Sequence, residues 1–266
     1  MSAPASRRWT PPPLIRNPYL RYGLLVAGLA YLVAGVLSVP VDWARVAQGA
    51  ERSARLFGEF LRPDFTSRWT DIQIGLLESL TMSVVATVAG VALAVPVALG
   101  AARNLAPLPV YLLCRAYVTL VRTFPEVVIA IVFVVMMGFG PFAGLLTLVL
   151  ATTGFIAKLL AEDLEDIDRA PLEAVRASGA SWAQLILYGV LPQVAPRFVG
   201  LFVYRLDINF RESTILGIVG AGGIGATLTT AMSRYDFDTA GAVLILIIAV
   251  VLALELLAGA VRKRVS

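Results

Sequence analysis

From Val127 to Ala157 the chain runs for 31 residues without a charge. A helix needs roughly 20 residues, each rising about 1.5 Å, to cross about 30 Å of hydrocarbon. The run is therefore too long for one crossing and too short for two. Gly138-Phe139-Gly140-Pro141 supplies a turn signal inside it. A membrane hairpin satisfies both facts if its first arm begins upstream, near Thr119. That arithmetic puts Arg122 and Glu126 at bilayer depth, with Pro125 loosening the helix between them. The second arm runs from about Phe142 to Leu160.

Other spans follow from the same criterion, in a chain that is 58% hydrophobic and 15% charged. Tyr22 to Val41 is a retained first span, too long for a signal peptide and lacking a small-x-small cleavage site. Ser79 to Ala102 is the second, kinked at Pro96. The fifth is either Pro196 to Val219, carrying Arg205, Asp207, Arg211 and Glu212, or the glycine-rich Ser213 to Met232. Glycine weakens helices, which favours the first. Thr239 to about Val261 is the sixth, closed by Arg262-Lys263-Arg264. Six spans put both termini on one side. Arg7, Arg8, Arg16, Arg21 and Arg103 join the C-terminal cluster in assigning that side to the cytoplasm.

The resulting map is a cytoplasmic segment 1–21, a first span 22–41, an extracytoplasmic amphipathic segment 42–73 and a core 74–264. Within the core, 161–195 is a polar cytoplasmic stretch. Segment 42–73 alternates charges with apolar residues at helical spacing, which suits a helix on the outer interface or part of a docking site for a partner.

Several chemistries are excluded. There is no histidine, Cys114 is the sole cysteine, and Lys158 and Lys263 are the only lysines. Imidazole catalysis, disulfides and Cys/His metal clusters are absent. Neither lysine follows a glycine, so there is no phosphate loop, and any ATPase must be another chain. Gly220-Ala221-Gly222-Gly223-Ile224-Gly225 fits G-x-G-x-x-G, but its flanks are membrane spans rather than a βαβ unit.

LEAVRASGASWAQLILYGVLP, residues 172–192, reads as a polar helix bent or ended at Gly179, with a second stretch stopped at Pro192. Helix geometry alone allows an amphipathic helix lying on the membrane. Glu173 and Ala174, then Gly179, then Leu191-Pro192 resemble the EAA signature of importer-type ABC transporter permeases, with Val175 and Gly189 departing from it. PDF (63–65), RTFPE (122–126) and NFRESTILGIVGAGGIG (209–225) together are similar to permeases for phosphonates or a close oxyanion such as phosphite, whereas the glycine block and the EAA signature alone would also suit permeases for methionine. The resemblance implies a type I importer permease fold in the bacterial inner membrane. It implies coupling through Glu173, Ala174, Gly179, Leu191 and Pro192 to two ATPase subunits, which bind ATP and Mg. It also implies a second copy of the chain and an extracytoplasmic phosphonate-binding protein. No cofactor in the chain itself and no nucleic acid is expected.

Charges within spans must pair or face water. Asp207 and Arg211 are i,i+4 neighbours, and Arg205, Asn209 and Glu212 share another stripe. These residues either neutralise one another, the four span-five charges summing to zero, or join Arg122 and Glu126 along a path for an anion. Gly217, Gly220, Gly222, Gly223 and Gly225 mark a break near the outer end of span five, read either as a hinge or gate or as close packing.

Overall fold

The computed structural model describes residues 17–39 and 42–265. Arg7, Arg8 and Arg16 lie outside them. The chain forms two compact units, Met1–Arg55 and Leu56–Ser266. In the first, helix α1 (Pro18–Ser38) is capped by Asn17, whose side chain accepts from the Tyr19 amide. Helix α2 (Trp43–Phe60) begins there and ends in the second unit.

The second unit is helical throughout its described residues. It comprises α3 (Trp69–Ala101), α4 (Leu108–Thr123), α5 (Glu126–Met137), α6 (Pro141–Glu165), α7 (Arg169–Ala177), α8 (Trp182–Gln184), a π-helical turn (Leu185–Val190), α9 (Leu191–Ile218), α10 (Ile224–Ser233) and α11 (Phe237–Val265). Five helical runs are long and apolar enough to cross a membrane, and a sixth crossing exists if α4 and α5 form one broken span.

The span boundaries differ from expectation in three places. The third span does not start near Thr119. Its helix begins at Leu108 and bends by 90° between α4 and α5. Pro125 disfavours helical backbone at the residue before it, and Phe124 is extended at φ −87°, ψ 133°. Arg122 and Glu126 therefore sit on two helices rather than one turn apart on a single helix. The second span begins at Trp69 rather than Ser79, so residues 69–73 belong to α3 and not to the amphipathic segment. The polar stretch 161–195 is shortened as well, because α6 continues to Glu165 and α9 starts at Leu191.

Small residues let α3 and α6 pack closely along their lengths, as helices without a hydrophobic drive between them require. A Cβ on Gly90 would fall 2.5 Å from the Thr152 Cβ. Ala86, Ala94, Ala98 and Ala157 are fully buried in this core.

Loop contacts define two ends. At one, Asn104 Nδ2 donates to the Leu164 carbonyl (2.7 Å) and the Arg103 amide to Glu165 (2.8 Å), beside α7. At the other, Gly140 donates to the Gly220 carbonyl (3.0 Å) and Arg68 reaches Asp236 (3.0 Å). Asp64, in the PDF stretch at this second end, is held below the ordinary aspartate range by hydroxyl and backbone hydrogen bonds from Ser67 and Thr66.

Candidate translocation site and coupling segment

Midway along α9, about 21 Å from its start by helical rise, Arg205 is 2% exposed. Its Nε donates to Thr152 Oγ1 (3.0 Å) on α6, and its Nη2 reaches both Glu212 (3.1 Å) and Glu126 (3.3 Å). Its guanidinium also lies 5.1 Å from the Phe155 ring centroid. The break at Pro125 makes Glu126 the first residue of α5 and brings it to this spot. The span-five charges thus do not neutralise among themselves alone: Arg205 draws a second carboxylate from α5. Asn209 completes the seam, donating to Thr87 on α3 (2.8 Å) and Thr152 (3.0 Å). Thr87, Thr152 and Phe155 carry no signature that sequence reading detects, because their partners come from other helices.

Two guanidinium groups differ from Arg205. Arg122 is exposed, makes no salt bridge among the described residues, and rests 5.6 Å from the centroid of the same Phe155 ring. Arg211 pairs with Asp207 one turn away, yet its side chain is 52% exposed. Asp207 itself is buried, and its Oδ1 has no partner among the described residues.

The glycine block forms the turn between α9 and α10. Gly220, Gly222 and Gly223 take φ of +88°, +75° and +76°, a region open to glycine at little cost. Gly217 and Gly225 lie backbone against backbone, leaving no room for a Cβ on either. The Gly223 amide donates to Glu78 Oε2 (2.9 Å) and the Ile224 amide to Ser79 Oγ (2.9 Å), so α3 anchors the turn.

In the candidate coupling segment, α7 ends at Ala177 and Gly179 turns the chain at φ +77°, with open space where a side chain would stand. Leu172 is the buried residue of α7, packed on Gly189, while Glu173 and Ala174 face outward. Pro192 does not stop the following stretch. Helix continues from Trp182 to Ile218, with Leu191 and Pro192 opening α9. The π-helical turn precedes the proline, and the Leu191 amide bonds back to the Ile186 carbonyl. Such a widened turn accommodates a ring that lacks a donor and crowds the preceding turn. Gln193 was not foreseen. Its Oε1 accepts from the Asp168 amide (3.0 Å), and its Nε2 donates to the Gly189 carbonyl (2.8 Å), tying the start of α7 to the π-helical turn.

Residues 94–266 match the family described as binding-protein-dependent transport system inner membrane component. The chain belongs to this family. It is a multi-pass inner membrane component. It is 38% identical over 251 residues to the phosphate-import permease protein PhnE of Mycolicibacterium smegmatis, covering 94% of this chain and 47% of that protein, about half its length. It is 38% identical over 240 residues to the phosphite transport system permease protein PtxC of Stutzerimonas stutzeri, covering 90% and 86%. Over 119 residues it is 44% identical to the putative cryptic phosphonate transport system permease protein PhnE2 of Escherichia coli, covering 45% and 98%. Its fold matches an inward-facing structure of the MetNI methionine ABC transporter with a TM-score of 0.67 at 24% identity, over 76% of this chain and 99% of that one. This inner membrane component therefore has the type I ABC importer permease fold.

Proposed function

We propose that this inner membrane component forms the path by which phosphonates, or closely related phosphorus oxyanions, enter the cell, driven by a separate ATPase. One observation carries the reading: Arg211 within the membrane-spanning α9, and Arg122 at the break between α4 and α5, remain exposed. An exposed guanidinium in a span needs water or an anion, and its planar fork suits phosphonate oxygens. Arg205, with its donors engaged by Thr152, Glu126 and Glu212, positions α5 against α9 and does not meet the anion. Relatives named for phosphate, phosphite and phosphonate transport support the same substrate class.

Two copies of the chain place the path along their twofold axis. On each, Glu173, Ala174, Gly179, Leu191 and Pro192 meet an ATPase subunit that carries ATP and Mg, and the glycine block gates the far end. An extracytoplasmic binding protein supplies affinity, because a conduit must release what it accepts.

The test is uptake of a labelled alkylphosphonate in cells with and without this chain, with phosphite and phosphate as competitors. Uptake is expected to vanish on deletion and return with the wild-type gene. Unchanged uptake overturns the phosphonate assignment. The names of two relatives favour phosphite or phosphate as a second reading, and stronger competition by either would select it.

A further inference from the structure

Phe155 stands about 21 Å along α6 by helical rise, and three side chains from other helices surround its half-buried ring. The Arg205 guanidinium, from α9, lies 5.1 Å from the ring centroid, and that of Arg122, from α4, lies 5.6 Å away. The Tyr204 ring, also on α9, has its centroid 6.2 Å away at an interplanar angle of 42°. A tilted pair at this spacing is in aromatic contact. Tyr204 is nevertheless nearly half exposed, and Arg122 is exposed as well. Phe155 thus backs a surface whose reachable parts are an aromatic ring and a guanidinium.

The cations near the ring divide into engaged and free. Arg205 is held by Glu126 and Glu212. Lys158, one turn along α6 from Phe155, faces Glu162 at 3.8 Å. Arg122 alone of the three has no carboxylate partner among the described residues. An unpaired guanidinium beside the middle of a spanning helix is costly against hydrocarbon, so the surface it shares with Tyr204 faces water. Water or an inorganic oxyanion accounts for the guanidinium but gains nothing from the aromatic ring beside it. An anion that carries an apolar substituent is served by both.

We propose that Arg122 and the Tyr204–Phe155 pair form a two-part subsite for an organic phosphonate, the guanidinium taking phosphonyl oxygens and the rings taking the carbon substituent. The inference rests on the phosphonate reading above and deepens it: this chain itself discriminates by the group on phosphorus, favouring organic phosphonates over phosphate or phosphite. Each methylene moved from water onto apolar surface is worth about fourfold in affinity, so three methylenes on a half-open wall give about tenfold. The contact stays weak in absolute terms, as passage through a conduit requires.

The test uses the full permease–ATPase complex in lipid nanodiscs, with Mg–ADP in the nucleotide sites and no binding protein. Thermal melting is titrated at constant ionic strength with phosphate, methylphosphonate and n-butylphosphonate. In wild type, n-butylphosphonate is expected to stabilise with about tenfold higher apparent affinity than methylphosphonate, and phosphate to bind no tighter than methylphosphonate. Tyr204→Ser should leave methylphosphonate affinity unchanged and bring the chain-length ratio down to about one. Arg122→Gln should weaken both phosphonates about tenfold and keep their ratio. Equal affinities for the two phosphonates in wild type overturn the subsite, and that comparison needs no variant to fold. A ratio that survives Tyr204→Ser places the alkyl group elsewhere, in lipid or on the ATPase, and overturns it too. Affinities that Arg122→Gln leaves unchanged do the same for the guanidinium half. Unchanged uptake on deletion of the chain defeats the transport reading but leaves the chain-length ratio standing, so the two failures are distinct.

Discussion

Arg205 and Arg122 border the same aromatic ring, yet removing each should have opposite consequences. Arg205→Ala leaves Glu126 and Glu212 beside each other without their shared cation. Breaking a buried pair by deleting one partner costs about 3–5 kcal/mol. Arg205→Ala is therefore expected to lower the thermal midpoint in nanodiscs sharply and to abolish uptake through loss of fold. Arg205→Lys keeps the charge but cannot hold Thr152 and two carboxylates in one plane, so it should rescue stability only in part. Arg122→Ala breaks no salt bridge and should melt like wild type while phosphonate uptake falls at least tenfold. Equal melting of Arg205→Ala and wild type would remove Arg205 from its positioning role. Part of this site is legible in the sequence, since the Asp207–Arg211 pair and the Arg205–Glu212 stripe follow from helical spacing within one span. The Glu126–Arg205 bridge is not legible, because it joins residues 79 apart and depends on a bend that a span count does not reveal.

The same limit appears among the elements. Charge-free length with a turn signal locates the hairpin at Gly138–Pro141, while the weakness of glycine in helices, against charge-free length, selects Pro196 to Val219 over the glycine block as the fifth span, within a few residues of the observed Leu191–Ile218. The length criterion misplaces the third span because a proline can either loosen a helix or break it by 90°, and surrounding packing decides which. Pro192 shows the converse, a proline absorbed by a π-helical turn within a continuous helical run. The loop at Gly179 offers a clean test of the coupling segment. Its φ of +77° strains any other residue by a similar amount, about 1–2 kcal/mol, and nothing lies near the position a Cβ would take. Gly179→Ala and Gly179→Trp therefore carry comparable backbone strain, and only the tryptophan adds bulk. If a motor subunit grips this loop, the alanine variant should retain the ATPase on purification and most uptake, while the tryptophan variant loses both. Loss of the ATPase by the two variants alike would attribute the effect to strain, and retention by both would separate the loop from the motor.

At the scale of the whole molecule, exposure alone does not distinguish a face that meets lipid from one that meets water. Val88 on α3 and Tyr204 on α9 are 54% and 46% exposed, yet their neighbourhoods differ. Val88 has no charged residue within two turns on either side, whereas Tyr204 is one turn before Asp207 and two before Arg211. The half-exposed Arg211 would be costly against hydrocarbon, so the face it shares with Tyr204 is assigned to a water-filled path. A membrane-impermeant charged thiol reagent separates the two cases. With the single native cysteine removed as Cys114→Ser, Tyr204→Cys should react in the nucleotide-free or the ATP-trapped complex and differ at least tenfold in rate between them. Val88→Cys should stay unreactive in both. A Tyr204→Cys protected in both states would place lipid or a permanent protein contact there and move the path to another face. A rate that is high but the same in both states would keep the water and dismiss the alternation of access that an ATP-driven cycle requires.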